Sequence, residues 1–334
     1  LATAAAWYAR EKSLRRTRPM EGGLHEGRTV EGGPGFELWH NAFSLCSKKV
    51  RMCMAELDLP YVSHHIDLIE TGSYETLSRR FLAVNPAALV PVLVHDGHPV
   101  YESHEILRYA ALHSPRGDAL VAPDEAGKAV MDEWIRRSSL YGDDPVAHAA
   151  ESAGCCVPGL TIPLFTAMIV DIPTSRILEG LLFHRLKQRP VFFLLLKAAG
   201  LGRLAGIAPL VRVVDQCRRH MASHLDALEQ HLATAGTPWI AGARFTLADV
   251  SWAGAAMPVR PVVQRYHGKA IHGFFMVTVT VVGLTTSTWP MFENTNWRRM
   301  PSFHLSMLSL SAAASSGVPS WNLTPSRRTM VHCE

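Results

Sequence analysis

The spacing of apolar positions changes period within the stretch FELWHNAFSLCSKKVR, residues 36–51. Phe36-Glu37-Leu38-Trp39 alternates, which predicts a short strand, whereas Val50, Cys53, Met54 and Leu57 recur at i, i+3, i+4 and i+7 and predict an amphipathic helix from Ser47. Between them lie a turn-like Asn41-Ala42-Phe43 and then Ser44-Leu45-Cys46, so Cys46 falls where a strand hands over to a helix. Downstream, Tyr61 to Asp67 predicts a second strand, Tyr74 to Leu82 a helix, Asn85 to Ala88 a turn, and Leu89 to Val94 a strongly apolar strand. Asp96-Gly97 is a hairpin signal returning through His98 to Tyr101. Glu102-Ser103 then opens a helix with Ser103 as its expected N-cap and Ile106, Leu107 and Ala110 as its apolar face. Proline cannot donate to a sheet ladder, so Pro91 near the start of a strand needs an explanation. A cis Val90–Pro91 bond supplies one and leaves the Val90 backbone facing a ligand.

The second half of the chain is helical in its patterning. Pro123-Asp124 opens a helix with Val130, Met131, Trp134 and Ile135 on one face, expected to end near Tyr141-Gly142. Val214, Cys217, Met221, Leu225, Leu228 and Leu232 form one long apolar stripe. Thr246 to Asp249 resembles a capping box before an apolar run, which gives Asp249 a structural role. The order βαβ then αββα over residues 36–115 is that of an α/β thioredoxin-like domain. An all-α helical domain follows over 120–265, with residues 145–213 between its first helix and the long stripe. Within that segment Ser152 to Val170 is uncharged, but Pro158 and Pro163 argue against a membrane-spanning helix. Extra helices that cover the substrate side or pack on the helical domain are expected there. Past Trp252 the amphipathic period is lost, and Ile271 to Leu284 is β-branched and apolar. Residues 266–334 are read as a disordered end or an artefact of the coding sequence. A membrane anchor is the second reading, because Ala270 to Phe292 carries no formal charge.

Composition bounds the function. The 334 residues are 48% hydrophobic and 19% charged, enough for one or two substantial cores, and a net charge of +4 does not call for nucleic acid. Six cysteines without CxxC or zinc spacing indicate a reducing compartment, and a cytoplasmic location is expected. Residues 1–35 read as a flexible or targeting lead-in, with five basic residues between Arg10 and Arg18 and glycines from Gly22 to Gly35. The chain begins at Leu1 rather than Met, so residues are expected to precede it. His220, His224 and His231 share a helical stripe without a further ligand beside them, so they are assigned to a solvated face and no metal site is expected.

Cys46 is the candidate nucleophile. Free N–H groups and the dipole at a helix N-terminus, with Lys48, Lys49 and Arg51 close in sequence, predict a depressed thiol pKa, and the thiolate is the reactive form. A buried structural cysteine is the alternative. Dithiol exchange is disfavoured, because Lys49 stands where a second cysteine would be.

NPAALVPVLVHDGHPVYESHEILRYA resembles the second half of the glutathione-binding domain of the glutathione S-transferase superfamily, with Asn85-Pro86, Val90-Pro91 and Glu102-Ser103 at its three motifs. PWIAGARFTLADVSWA is similar to the start of the buried helix in that superfamily's helical domain. The resemblance implies that the Val90 backbone, before cis-Pro91, pairs with the cysteinyl part of glutathione. It also implies that Glu102 and Ser103 hold the γ-glutamyl end, where a helix N-terminus favours a carboxylate. Ser44 to Arg51 is similar to the S-x-C-S-x-K/R-V-R segment of the zeta-like and chlorohydroquinone dehalogenase-like members, and apolar Leu45 points to the latter branch. By this resemblance Cys46 is catalytic and Ser44 is the alternative hydroxyl donor to the glutathione sulfur. The resemblance further implies glutathione as co-substrate, a small aromatic electrophile as substrate, and a homodimer. Set against that superfamily, residues at about 145–213 are an insertion, reminiscent of the ganglioside-induced differentiation-associated branch. This keeps a second reading open, a non-catalytic membrane-associated protein, and a zeta-like cis–trans isomerase is a third.

Overall fold

A computed structural model describes residues 2–204 and 206–256, together with a pair of two-residue strands at Arg265–Tyr266 and Lys269–Ala270. The expected tail, its apolar run and Cys333 lie outside the described residues.

A five-stranded mixed sheet comprises β1 (Gly23–Leu24), β2 (Phe36–His40), β3 (Val62–His65), β4 (Val92–His95) and β5 (His98–Tyr101), in the order β1-β5-β4-β2-β3. β2 runs parallel to β3 and antiparallel to β4, with Trp39 opposite Val92, and β4 pairs with β5, with Leu93 opposite Val100. This register gathers the C-terminal ends of β2 and β5 and the N-terminal end of β4 at one end of the sheet. The hairpin turn has Asp96 at φ 49° and Gly97 at φ 81°, the left-handed pair that a two-residue turn demands.

Around the sheet lie α2 (Leu45–Glu56), a 3₁₀ turn at Glu75–Leu77, α3 (Arg79–Val84) and α4 (Ser103–Leu112). α2 begins two residues before the expected Ser47, because the Ser44 hydroxyl accepts from Ser47 N at 3.2 Å and caps the first turn. Ser103 is not the cap of α4: Glu102 occupies that position at φ 64°, and Ser103 is the first helical residue.

The helical part comprises α5 (Glu125–Arg137), α6 (Ala153–Leu160), α7 (Ile162–Ile169), α8 (Thr174–Phe183), α9 (Gln188–Leu204), α10 (Ala208–Ala235) and α11 (Leu247–Ala256). Asp124 caps α5 by accepting from Gly127 N at 2.7 Å. α5 stops at Arg137, short of the expected Tyr141. Asp249 accepts from Thr246 N at 2.8 Å, Thr246 Oγ1 at 2.9 Å and Ile240 N at 3.0 Å, so the expected capping arrangement is present at the start of α11. Trp252 of α11 donates its indole N–H to the Trp134 carbonyl at 2.7 Å. One apolar core runs through both parts of the fold, from Val50, Met54 and Leu107 to Trp134, Cys156, Met221 and Trp252.

The insertion forms α6 to α9; α6 contributes Ala153, Cys156 and Leu160 to that core, and Leu210, Val213 and Val214 of α10 pack against α7 to α9. α7, α8 and α9 share a second core with the thioredoxin-like domain, in which Ile162, Ile177, Phe193 and Leu196 meet Ile69, Tyr74, Leu77 and Leu82. Gly180 of α8 lies directly against the Tyr74 ring, where an added Cβ would stand 2.4 Å from Cε2. Residues 1–35 also differ from the flexible lead-in expected. α1 (Ala2–Leu14) places Tyr8 against Phe183, and buried Glu11 pairs with Arg79 and with Arg15. β1 then extends the sheet beyond β5.

Candidate active site at Cys46

The loop from β2 into α2 is fixed by one buried side chain. Asn41 donates from Nδ2 to the Ile66 carbonyl at 2.8 Å and to Thr71 Oγ1 at 3.2 Å, while its Oδ1 accepts from Phe43 N at 2.8 Å. Its own N–H reaches Ser47 Oγ at 3.3 Å. Asn41 thus ties the loop to β3 and the segment after it and sets where α2 starts. Cys46 consequently lies in the first helical turn, part-exposed, while Ser47 and Lys49 are buried.

Ser103 lies close enough to the Cys46 sulfur to act on it as a hydrogen-bonding neighbour, which brings the N-terminal turns of α2 and α4 together. Burial pushes the Cys46 thiol up from its ordinary pKa. Lys49, the Ser103 hydrogen bond and the Cys46 N–H oppose that shift, and Glu102 adds to it. The depressed pKa expected from the helix terminus and the neighbouring bases is therefore not what the folded site produces. Desolvation outweighs them.

Glu102 stands beside this pair. Desolvation and then the Glu105 charge raise its carboxyl pKa, and no cation pairs with it among the described residues. Gly22 approaches it closely, since a Cβ there would lie 3.2 Å from Glu102 Cβ. Val90–Pro91 is cis, as the placement of Pro91 suggested, and the strand begins after it at Val92. Asn85 holds the preceding loop through Nδ2 to the Leu89 carbonyl at 2.8 Å and by accepting from Ala87 N at 2.9 Å. Among the described residues the Val90 N–H and C=O make no hydrogen bond. Cys46, Glu102 and Ser103 are thus brought together directly, and Val90 and Pro91 lie at the same end of the sheet. Ser44 serves as the helix cap, with its O–H proton still free to donate.

Sequence reasoning missed the groups behind Cys46. Lys49 is wholly buried and donates from Nζ to the Ser138 carbonyl at 2.6 Å, with His104 Nε2 at 3.4 Å. Burial lowers its pKa to about 8, while Cys46 and Cys155 pull it back up. Burial also holds His104 well below its ordinary pKa, so it is neutral. Cys155 is buried, with its sulfur 3.5 Å from the Ser139 carbonyl; burial raises its pKa, and Cys46 adds to that shift. A lysine on the core-facing side of an amphipathic helix was the available sequence signal. The histidine stripe is not a solvated face: His224 meets the Ala149 carbonyl at 2.9 Å, and His231 meets that of Ile240 at 2.8 Å and packs on Trp134.

Comparison with known proteins agrees with this architecture. The family model "Glutathione S-transferase, N-terminal domain" matches residues 43–112, and "Glutathione S-transferase, C-terminal domain" matches residues 212–289. The second match continues past Trp252, where the sequence pattern looked foreign. The chain is 25% identical over 219 residues to Glutathione S-transferase TCHQD of Arabidopsis thaliana, covering 64% of this chain and 73% of that protein. It is 27% identical over 266 residues to a 2,5-dichlorohydroquinone reductive dechlorinase of Sphingobium indicum, covering 69% and 73%. The solved structure of the beta-etherase LigF from Sphingobium sp. strain SYK-6 superposes with a TM-score of 0.53 at 20% identity, covering 73% of this chain and 87% of that one. Over these two stretches the chain carries the N- and C-terminal domains of the glutathione S-transferase family models.

Proposed function

We propose that the protein is a glutathione-dependent transferase of the cysteine type, which reductively removes a leaving group from a small aromatic electrophile. The observation that carries this reading is the approach of Ser103 and Glu102, where α4 begins, to the sulfur of Cys46 in the first turn of α2. Glutathione would lie along that end of the sheet. Its γ-glutamyl carboxylate would take the N-terminal N–H groups of α4, its ammonium would meet the unpaired Glu102, and its cysteinyl backbone would pair with the free N–H and C=O of Val90. Ser44 Oγ would donate to the glutathione sulfur.

The chemistry follows from sulfur at this position. A glutathione thiolate displaces halide or a similar group from the electrophile and forms a thioether. The Cys46 thiolate attacks the sulfur of that thioether, so the Cys46–glutathione disulfide forms, the carbon–sulfur bond breaks, and the carbon leaves with the electron pair and takes a proton. The sulfurs are oxidised and the carbon is reduced. A second glutathione thiolate then attacks the mixed disulfide, releasing oxidised glutathione and restoring the Cys46 thiolate. In this reading the enzyme works as a homodimer in the cytoplasm.

A second reading, cis–trans isomerisation, is favoured by a match at 35% identity over 113 residues to the Probable maleylacetoacetate isomerase 2 of Drosophila melanogaster, covering 34% of this chain and 47% of that protein. Turnover of a chlorinated hydroquinone with glutathione, followed by assay of oxidised glutathione, separates the two. Reductive chemistry yields one oxidised glutathione per leaving group, whereas an isomerase yields none. A protein that neither binds nor turns over glutathione supports neither.

A further inference from the structure

The hairpin of α8 and α9, joined by residues 184–187, turns apolar side chains in two directions. Inward, Ile177, Phe183, Phe193 and Leu196 enter the second core. Outward, Leu178 and Leu182 recur at i, i+4 on α8, and Val191 and Leu195 do the same on α9, each between 42% and 61% exposed. Val170, at the C-terminal end of α7, is exposed as well. Among the described residues thirteen large apolar side chains are exposed, and these five fall within residues 170–195. Such a concentration differs from the single exposed leucines of an ordinary surface. A surface helix presents polar residues to water, and one that is apolar on both sides is normally covered on both.

The charge on the hairpin defines the kind of cover. Residues 174–204 hold six basic residues and one acid, Glu179. Three of these charges are answered within the fold: Arg185 pairs with Asp143, Arg189 with Glu70, and Glu179 with Arg15. Lys187 and Lys197 meet no carboxylate among the described residues, and each is fixed beside an exposed apolar side chain. Lys187 Nζ donates to the carbonyls of Leu181 and Leu182 at 2.7 and 3.2 Å. Lys197 Nζ donates to those of Val170 and Ile172 at 2.5 and 2.7 Å, and to that of Ile169 at 3.3 Å. The two ammonium groups thus close the C-terminal ends of α8 and α7, next to Leu182 and Val170. Lys12 of α1 is a further positive charge on this side: after desolvation, it is what lowers the pKa of Lys187.

An apolar stripe with ammonium groups held at its margin fits a bilayer surface with anionic headgroups, where the acyl boundary takes the leucines and the headgroups take the lysines. A second copy of the chain fits less well, because a two-fold contact would lay one positive face against another. No helix among the described residues is long and apolar enough to cross a membrane, so the contact lies in the plane of the surface.

We propose that the outer face of α8 and α9 docks the protein reversibly onto an anionic phospholipid surface, with Leu178, Leu182, Val191 and Leu195 at the acyl boundary and Lys187 and Lys197 among the headgroups. The docking uses no residue of the Cys46 site, and it stands whether or not that site performs the chemistry proposed above.

Cosedimentation of the full chain with vesicles of phosphatidylcholine alone, or of phosphatidylcholine mixed with phosphatidylserine, tests it. The wild type should bind the mixed vesicles about tenfold or more tightly than the neutral ones, and should lose that preference in about 1 M salt. A double variant, Leu182→Gln with Leu195→Gln, changes exposed positions only; it should melt like the wild type and bind about tenfold more weakly. A second double variant, Lys187→Gln with Lys197→Gln, should lose about tenfold on the mixed vesicles and nothing on the neutral ones. A wild type that does not bind the mixed vesicles, or binds both kinds equally, overturns the proposal. Binding undiminished in the leucine variant overturns it too, because the contact then lies elsewhere in the chain. So does a wild-type dimer, seen by sedimentation equilibrium, that the leucine variant converts to monomer while vesicle binding is absent, since a second copy then covers the face.

Discussion

Lys49 Nζ donates to the carbonyl of Ser138 at 2.6 Å, and through this contact the helix bearing Cys46 is fastened to the end of α5 in the helical domain. The domain junction and the candidate nucleophile therefore share one buried side chain. Gly254 keeps the space that this side chain needs. Gly254→Ala should destabilise the protein by about 1–3 kcal/mol through overpacking against the Lys49 stem. Urea unfolding measures the loss.

The insertion makes a second close approach. Gly180→Ala would bring a Cβ to 2.4 Å from the Tyr74 ring and 2.9 Å from Pro190 Cβ. A loss of about 1–3 kcal/mol is expected, seen as a fall in Tm, with glutathione binding retained. A neutral substitution would mean that α8 does not pack on the thioredoxin-like domain as described.

Asp249 caps α11 with three hydrogen bonds, two from Thr246 and one from Ile240. Asp249→Ala leaves those buried donors unsatisfied and should cost about 2–4 kcal/mol. Denaturant midpoints check this. Asp249→Asn should recover part of the loss.

Acid stability carries a signature of buried histidines. Burial lowers His40 and His184 from the ordinary 6.5 to about 4, with Arg51 adding to the effect at His40 and Arg189 at His184. Between those values the unfolded chain binds more protons than the native one. The stability is complete above about pH 6.5 and is lost as pH falls through 4. His40 is only 7% exposed and contributes on the order of 2 kcal/mol to that loss. Melting curves across this range should show His40→Gln with a shallower acid limb than the wild type.

Much of this architecture is legible in local sequence. Pro91 announced a cis bond because proline cannot enter a ladder there, the period change after Trp39 located α2, and Thr246 to Asp249 marked the start of α11. Burial and long-range partnership were not legible. The bases near Cys46 suggested an acidified thiol, but whether desolvation or charge prevails depends on which groups cover the sulfur. Lys49 finds its acceptor 89 residues away, and no local pattern encodes that. α1 reads as part of a flexible lead-in because the contacts that hold it and the residue after it, Glu11 with Arg79 and Arg15 with Glu179, are made with distant side chains. His224 and His231 likewise meet carbonyls of other segments rather than solvent.

The central claim is that Cys46 carries the chemistry through a mixed disulfide with glutathione. Mass spectrometry of the protein quenched during turnover of a chlorinated hydroquinone with glutathione tests it directly. The account predicts a glutathione adduct on the Cys46 peptide, and in Cys46→Ala no adduct and at least a hundredfold lower formation of dechlorinated product. Full reductive turnover by Cys46→Ala, or a wild type that turns over with no adduct at Cys46, would contradict it.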